Sequence, residues 1–255
     1  MPKKHRTNSV NFPPPQIPSH DATPPRAITR KPLTRKPLTR KPIQRNSYKP
    51  NNNPFVVSNA IIAINLGLFV WSQISGVNRF EYNMFLSRVF LDNGEWYRLV
   101  SAGFVHFGLL HVAMNMFLLF QLGRMLEPTL GSTKFALIYV ASLLGGSAGA
   151  LLLSPTAFTG GASGAVFGVM AAGVVGMRQQ GTNPFRSGLG MTFAINIVLT
   201  LAIPGISVGG HFGGALAGAI CGFVILAPQR IKIPEFVQYA TPILVGAAAI
   251  YISLA

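Results

Sequence analysis

The stretch GGHFGGALAGAICG, residues 209–222, has a glycine at every fourth position of an otherwise apolar segment. The stretch GGASGAVFGVMAAGVVG, residues 160–176, repeats small residues at the same interval. Residues four apart share one face of a helix, and small residues there let two helix backbones approach closely within a membrane. We therefore expect two helices in direct contact. The two sets of small residues are Gly210, Gly214, Gly218 and Gly222, and Gly164, Gly168, Ala172 and Gly176.

The composition indicates a membrane protein. Of 255 residues, 49% are hydrophobic, only 11% are charged, and 27 are glycine, which is unusual for a soluble domain. After residue 54, long apolar runs alternate with short charged segments, a pattern typical of polytopic helical proteins. We predict an all-α membrane helical bundle with about seven transmembrane helices. The predicted spans are 55–75, 103–122, 134–154, 161–178, 189–205, 207–227 and 236–255.

The segment 1–54 is basic and rich in proline. It holds twelve of the 21 Lys and Arg residues and a single acid, Asp21, and a Thr-Arg-Lys-Pro motif recurs at 29–33, 34–38 and 39–43. Prolines at this spacing prevent a helix, so we expect a disordered tail and not an amphipathic mitochondrial presequence. Basic segments beside membrane spans stay in the cytoplasm and bind anionic lipids. The net charge of +15 is therefore interpreted as a topology signal, and no nucleic-acid partner is expected.

Five polar residues are predicted to lie at one depth of the membrane. With a cytoplasmic N-terminus, the even-numbered spans run from outside to inside, so Ser163 and His211 lie near the outer ends of spans four and six. Span two carries His106, His111 and Asn115 near its own outer end. Polar groups at such depth normally face a cavity or one another. Serine and histidine supply the nucleophile and base of a hydrolase, so we predict a hydrogen bond between Ser163 and His211. The alternative is that the serine and glycines only help helices to pack.

These residues resemble the rhomboid family of intramembrane serine proteases over about residues 55–230. The resemblance is specific because the motifs occur in one order with this spacing and topology. It implies a core of six helices at 55–230, preceded by the disordered cytoplasmic tail at 1–54 and followed by an additional transmembrane helix at 231–255. The motifs are Trp96-Tyr97-Arg98, His106 with His111 and Asn115, GASG at 161–164, and HFGGALAG at 211–218.

The resemblance also implies a role for each residue. Ser163 and His211 would form a catalytic dyad, and His111 and Asn115 would stabilise the oxyanion together with the Ser163 N–H. The residues implied in support of the site are Phe167 against the imidazole, and Gly161, His106, Trp96 and Arg98. Beyond the tail, the acids are Glu81, Asp92, Glu95, Glu127 and Glu235; none is expected near the dyad, so His211 would be oriented by packing.

The implied activity is hydrolysis of peptide bonds in or near transmembrane helices of membrane-protein substrates. Rhomboids with an extra C-terminal helix are common in bacteria and the secretory pathway, which favours a multi-pass plasma-membrane protein whose site opens to the outer face. One departure from the family pattern is Ser207, where many rhomboids carry an acidic residue or Asn four positions before the histidine. This change puts local hydrogen bonding in question, and not the dyad.

Three alternatives bear on this interpretation. A metal site is not expected, because His106 and His111 on one helix would point about 140° apart and no second cysteine or acid joins them; no cofactor is expected either. The main rival is a catalytically inactive rhomboid-like protein that binds membrane helices for trafficking or quality control. A transporter is disfavoured because no inverted repeat or intramembrane charge relay is visible. The sequence leaves the natural substrate and the oligomeric state open.

Overall fold

The computed structural model describes residues 55–74, 77–228 and 230–255, and within these ranges the architecture is helical. The basic tail predicted at 1–54 lies outside the described residues. A short 3-10 turn spans Ala102–Phe104. The helices are α1 (Val56–Ile74), α2 (Val77–Tyr82), α3 (Arg88–Asp92), α4 (Arg98–Ser101), α5 (Leu109–Leu130), α6 (Ser132–Leu153), α7 (Ser163–Gln179), α8 (Leu189–Ala202), α9 (Val208–Ile225) and α10 (Glu235–Leu254).

The described helices form a membrane bundle, as predicted. Five of them, α1, α5, α6, α9 and α10, are long and apolar enough to cross a membrane. The predicted fourth and fifth spans correspond to α7 and α8, which have 17 and 14 residues. A helix of 17 residues is roughly 26 Å long at 1.5 Å per residue, slightly less than the hydrocarbon core. Helix α7 is short because it begins inside the protein, directly after the buried residue Ala162.

The second span begins and ends later than predicted. The prediction of 103–122 is wrong because Val105 is extended and Gly108 has φ 144°, so helix α5 begins at Leu109. His106 therefore lies in the preceding loop and not on the helix. The position of the turn depends on backbone conformation, which the apolar character of this stretch does not reveal.

The inner end of α5 also differs from the prediction. The predicted spans 103–122 and 134–154 leave a loop at 123–133, whereas α5 continues through Arg124 to Leu130 and Gly131 alone separates it from α6. The Arg124 guanidinium lies over the ring of Phe55, 3.9 Å from its centroid, so an aromatic face stabilises this charge near the end of α5.

Glu127 connects α5 to α1. Its side chain is buried and accepts hydrogen bonds from the backbone N–H groups of Val57 (2.8 Å) and Ser58 (2.9 Å). It also accepts from the Ser132 hydroxyl at 2.7 Å. A carboxylate at a helix N-terminus satisfies otherwise unpaired N–H groups and interacts favourably with the helix dipole. The buried acid therefore holds the start of α1 against the end of α5.

Helix α9 lies between α6 and α7, and glycines line both contacts. A Cβ added at Gly214 would collide with the backbone carbonyl of Gly164, and one added at Gly218 would collide with that of Gly168. The opposite side of α9 meets glycines of α6 in the same way at Gly213. The predicted contact between the two glycine-rich helices is therefore present. Because the backbones of α7 and α9 are in direct contact at these glycines, the relative position of the two helices is closely constrained.

Candidate active site

Ser163 and His211 lie at adjacent helix ends. Ser163 is the first residue of α7, and His211 is in the first turn of α9. The Ser163 Oγ is 2.8 Å from the His211 Nε2, although the residues are 48 positions apart in the chain. The helices approach so closely that a Cβ at Gly164 would lie 3.1 Å from the Gly210 carbonyl oxygen. The glycine contact thus places the two side chains within hydrogen-bonding distance.

Two further residues contact the imidazole of His211. The ring of Phe167 stacks on it, with centroids 4.1 Å apart and planes inclined by 21°. The Thr200 Oγ1 lies 2.7 Å from the His211 Nδ1. The imidazole is therefore held by one aromatic face and by hydrogen bonds at both nitrogens.

Thr200 was not identified from the sequence. It lies on α8, four residues after Asn196, and this spacing places the two polar residues on the same face of an apolar helix. That pattern was available in the sequence and would have indicated that one face of α8 is directed towards a polar partner. The sequence predicted that packing would orient His211; Phe167 does pack on the ring, and the contact with Thr200 adds a hydrogen bond to it.

His111 and Asn115 lie one turn apart on α5 and line a cavity of about 690 Å³ together with Ser163, Thr200 and His211. The Asn115 Nδ2 donates to the His111 carbonyl at 2.9 Å, which leaves its second N–H for another acceptor. The cavity brings serine, histidine and amide groups together inside an apolar bundle.

Gly161 allows the loop before Ser163 to approach His111. Its φ is 124°, a conformation that residues with a Cβ rarely adopt. An added Cβ would lie 2.7 Å from the His111 Cε1. The imidazole of His111 therefore packs directly against the backbone that leads into α7.

His106 is buried beside the site, and its hydrogen bond in the described part of the chain is to the backbone next to Ser163. Its Nε2 accepts a hydrogen bond from the Ala162 N–H at 3.3 Å, and its ring lies edge-on to that of His111 with centroids 5.0 Å apart. The expected 140° separation of the two histidines is wrong because His106 is not helical. In the described part of the chain, no cluster of three or more His, Cys, Asp or Glu could hold a metal ion.

Arg98 holds the outer loop together. Its guanidinium is buried, donates to the Glu95 carboxylate and to the carbonyls of Tyr82 and Phe85, and lies over the ring of Phe90. The hydrogen bond from Arg98 lowers the pKa of the Glu95 carboxyl. The neighbouring Trp96, by contrast, is 67% exposed, so its side chain contributes little to the interior of this loop.

Ser207 caps the helix that carries His211. Its Oγ accepts a hydrogen bond from the Gly210 N–H at 3.1 Å, in the usual manner of a serine N-cap. Ser207 departs from the family pattern, which put the local hydrogen bonding in question. In the structure this residue forms a helix cap. This cap orders the backbone one residue before His211.

The helices and the polar cavity define a multi-pass membrane protein with a buried polar site. A family model described as the Rhomboid domain matches residues 93–228, and the chain belongs to the rhomboid family. Membership in this family supports function as an intramembrane protease or a rhomboid-like protein.

Several curated relatives are similar to this chain. The Rhomboid protease GluP of Bacillus subtilis (strain 168) is 31% identical over 143 residues, covering 54% of this chain and 28% of that protein. RHOMBOID-like protein 6, mitochondrial, of Arabidopsis thaliana is 30% identical over 196 residues, covering 74% and 58%. RHOMBOID-like protein 5 of the same plant is 36% identical over 147 residues, covering 55% and 48%. The chain spans less than two thirds of the length of each of these relatives.

Proposed function

We propose that the protein is an intramembrane serine endopeptidase that uses Ser163 and His211 as a catalytic dyad. The observation that supports this proposal is the 2.8 Å separation between the Ser163 Oγ and the His211 Nε2 at a cavity within the bundle. Serine becomes a useful nucleophile when an adjacent base can take its proton. The name of the relative GluP, a rhomboid protease, is consistent with this chemistry.

In the proposed reaction, the Ser163 Oγ attacks a backbone carbonyl carbon of the substrate while the His211 Nε2 takes the hydroxyl proton. The resulting imidazolium gives that proton to the leaving amine, and the peptide C–N bond breaks to leave an acyl-enzyme. A water molecule then attacks the ester, with His211 again acting as base, and the release of the new carboxylate regenerates Ser163. The reaction consumes one water for each bond cleaved.

The oxyanion formed in both steps needs hydrogen-bond donors. We assign this role to the Ser163 N–H at the start of α7, to His111 and to the unused N–H of Asn115. Both side chains line the same cavity as the dyad. Donors aimed at a developing oxyanion stabilise the transition state by about 2.7–4 kcal/mol each in a comparable enzyme.

The proposed substrates are membrane proteins cleaved in or near a transmembrane helix. A helical carbonyl is already hydrogen-bonded and shielded, so the substrate has to unwind locally before attack. Small or helix-breaking residues near the scissile bond are therefore expected. Cleavage of a polyleucine segment at the same rate as a glycine-containing one would contradict this requirement.

The proposed orientation has a cytoplasmic N-terminus and a site that opens to the outer face of the plasma membrane. This orientation is supported by the excess of Lys and Arg at 1–54. The basic tail would then lie next to the anionic lipids of the inner leaflet. We also propose the division into tail, six-helix core at 55–230 and additional helix at 231–255. Trypsin added to sealed right-side-out vesicles should leave the tail intact; its removal would contradict this orientation.

Labelling with a fluorophosphonate tests the dyad without knowledge of the substrate. The intact protein in liposomes should be labelled, and Ser163→Ala and His211→Ala should both lose the label. Ser154→Ala, a change of an exposed serine at the end of α6, should retain it. If folded intact protein is not labelled, the alternative of an inactive rhomboid-like protein that binds membrane helices is supported.

A further inference from the structure

We propose that Thr200 is a positioning residue that holds His211 in the tautomer needed to activate Ser163. This inference rests on the proposed function. Thr200 is 2% exposed, and its Oγ1 lies 2.7 Å from the His211 Nδ1, on the side of the ring opposite the serine. The hydroxyl therefore occupies the position at which a third residue could orient the base.

The direction of this hydrogen bond follows from the number of protons available. The Thr200 Oγ1 donates to the Asn196 carbonyl at 2.7 Å, one helical turn earlier. A hydroxyl has one proton and two acceptor lone pairs, so Thr200 can only accept from the imidazole. The His211 Nδ1 must then carry a hydrogen.

This tautomer is the one that the proposed reaction requires. A neutral imidazole carries one hydrogen, so protonation at Nδ1 leaves Nε2 as an acceptor. The Nε2 can then accept the Ser163 hydroxyl proton across the 2.8 Å contact. With the opposite tautomer, Nε2 would donate to Ser163 and could not take its proton. When His211 becomes an imidazolium, its Nδ1–H can keep the same acceptor.

The burial of Thr200 is unusual for its helix. Of the 14 residues of α8, only Leu189, Gly190 and Thr200 are buried. The first two lie at the beginning of the helix, whereas Thr200 is near its end and faces His211. Thr200 is thus the buried residue in the second half of α8, and its hydroxyl group, not its methyl group, contacts the ring nitrogen of His211.

Three variants separate hydrogen bonding from packing. Thr200→Val keeps the shape but removes the acceptor, Thr200→Ser keeps the acceptor but removes a methyl group, and Thr192→Val makes the same change two turns earlier on α8. The rate and half-saturating concentration of fluorophosphonate labelling are measured for each protein in liposomes. Loss of one hydrogen bond to a group that becomes charged predicts a roughly 10- to 100-fold lower maximal rate for Thr200→Val.

The expected pattern is specific to positioning. Thr200→Val should lose rate with little change in half-saturating concentration, Thr200→Ser should retain most of the rate, and Thr192→Val should match the intact chain. A Thr200→Val protein that is labelled at the intact rate would overturn the proposal. Equal losses in Thr200→Ser and Thr200→Val would also overturn it, because they would show that the methyl group and packing matter instead.

A spectroscopic readout distinguishes failure of this inference from failure of the proposed function. In protein labelled with nitrogen-15 histidine, the His211 signals are assigned by comparison with His211→Gln. The intact chain should show hydrogen at Nδ1, and Thr200→Val should shift the tautomer balance towards Nε2. Hydrogen at the His211 Nε2 in the intact chain would refute the role of Thr200 even if the protein reacts with fluorophosphonate. If the intact chain carries hydrogen at Nδ1 but does not react with fluorophosphonate, the protease function is refuted and the positioning contact remains.

Discussion

Replacement of Gly161 by alanine is expected to slow the proposed reaction by displacing His111. The added Cβ would lie 2.7 Å from the His111 Cε1, whereas ordinary van der Waals contacts begin at 3.4 Å, so the ring must retreat by roughly 0.7 Å. A misplacement of about 1 Å in an active site can cost on the order of 100-fold in rate. We therefore expect the rate of fluorophosphonate labelling to fall roughly 10- to 100-fold.

The same substitution also has a backbone cost. Gly161 has φ 124°, and a non-glycine residue held in such a conformation costs about 1–3 kcal/mol. Part of the lost activity could then reflect partial unfolding, so thermal unfolding is measured beside the labelling rate. The rate is compared at a temperature at which both proteins are fully folded.

Gly181→Ala provides the matched control. Gly181 has φ 75°, but a Cβ there would meet nothing within 4 Å, and the residue lies in the loop between α7 and α8. This variant should lose stability and retain the labelling rate. If folded Gly161→Ala is labelled as fast as the intact chain, the assignment of His111 to the oxyanion site is refuted.

Three further substitutions test the oxyanion site and the packing of the bundle. Asn115→Ala should lower kcat/KM by about 100- to 1,000-fold but leave measurable cleavage, whereas Ser163→Ala should leave none; equal residual cleavage would contradict the dyad. Glu127→Ala removes the acceptor of three hydrogen bonds and should cost about 3–5 kcal/mol of unfolding free energy in micelles. The exposed Glu235→Ala should cost under about 1 kcal/mol, and equal losses would refute the anchoring of α1. Gly218→Val places a branched side chain against a backbone carbonyl of α7 and should lower both Tm and labelling; unchanged values would contradict the close contact.

Much of the fold could be predicted from the hydropathy of the sequence and from the spacing of its residues. The apolar runs predicted the long helices, and the fourfold interval of glycines predicted that α7 and α9 touch. The start of α5 could not be predicted in this way, because it depends on the φ of 144° at Gly108 within a stretch that is apolar on both sides. The inner end of α5 was missed because the predicted span stopped at residue 122, before the charged residues Arg124 and Glu127. In the structure the two backbone donors to Glu127, Val57 and Ser58, lie about 70 positions away in the chain, and local sequence does not show such partners.

The site follows the same division between local and distant information. His111 and Asn115 were grouped by their spacing of four, and in the structure both lie on α5 and line the same cavity. His106 was placed on the wrong element because its position depends on the turn before α5. The approach of Thr200 to His211 is a contact between α8 and α9, two helices separated by a loop that contains Pro204 and Gly205. The geometry of that loop sets the depth of Thr200 relative to His211.

Among the residues that the structure describes, His211 hydrogen-bonds to two hydroxyl groups and to no carboxylate. This arrangement has a physical reason in a membrane site. Burying a charged carboxylate away from water carries a desolvation penalty of several kcal/mol, which an ion pair repays only with excellent geometry. A threonine hydroxyl can accept from the imidazole without that penalty, although it stabilises an imidazolium less strongly. This weaker stabilisation of the imidazolium is offset if the base and the nucleophile are held in place before the reaction begins, since positioning lowers the entropic part of the barrier. The glycine contacts between α7 and α9 provide such positioning through the backbone. Activity should therefore be as sensitive to substitutions in these glycines as to the loss of the Thr200 hydroxyl, although the glycines do not touch the reacting atoms.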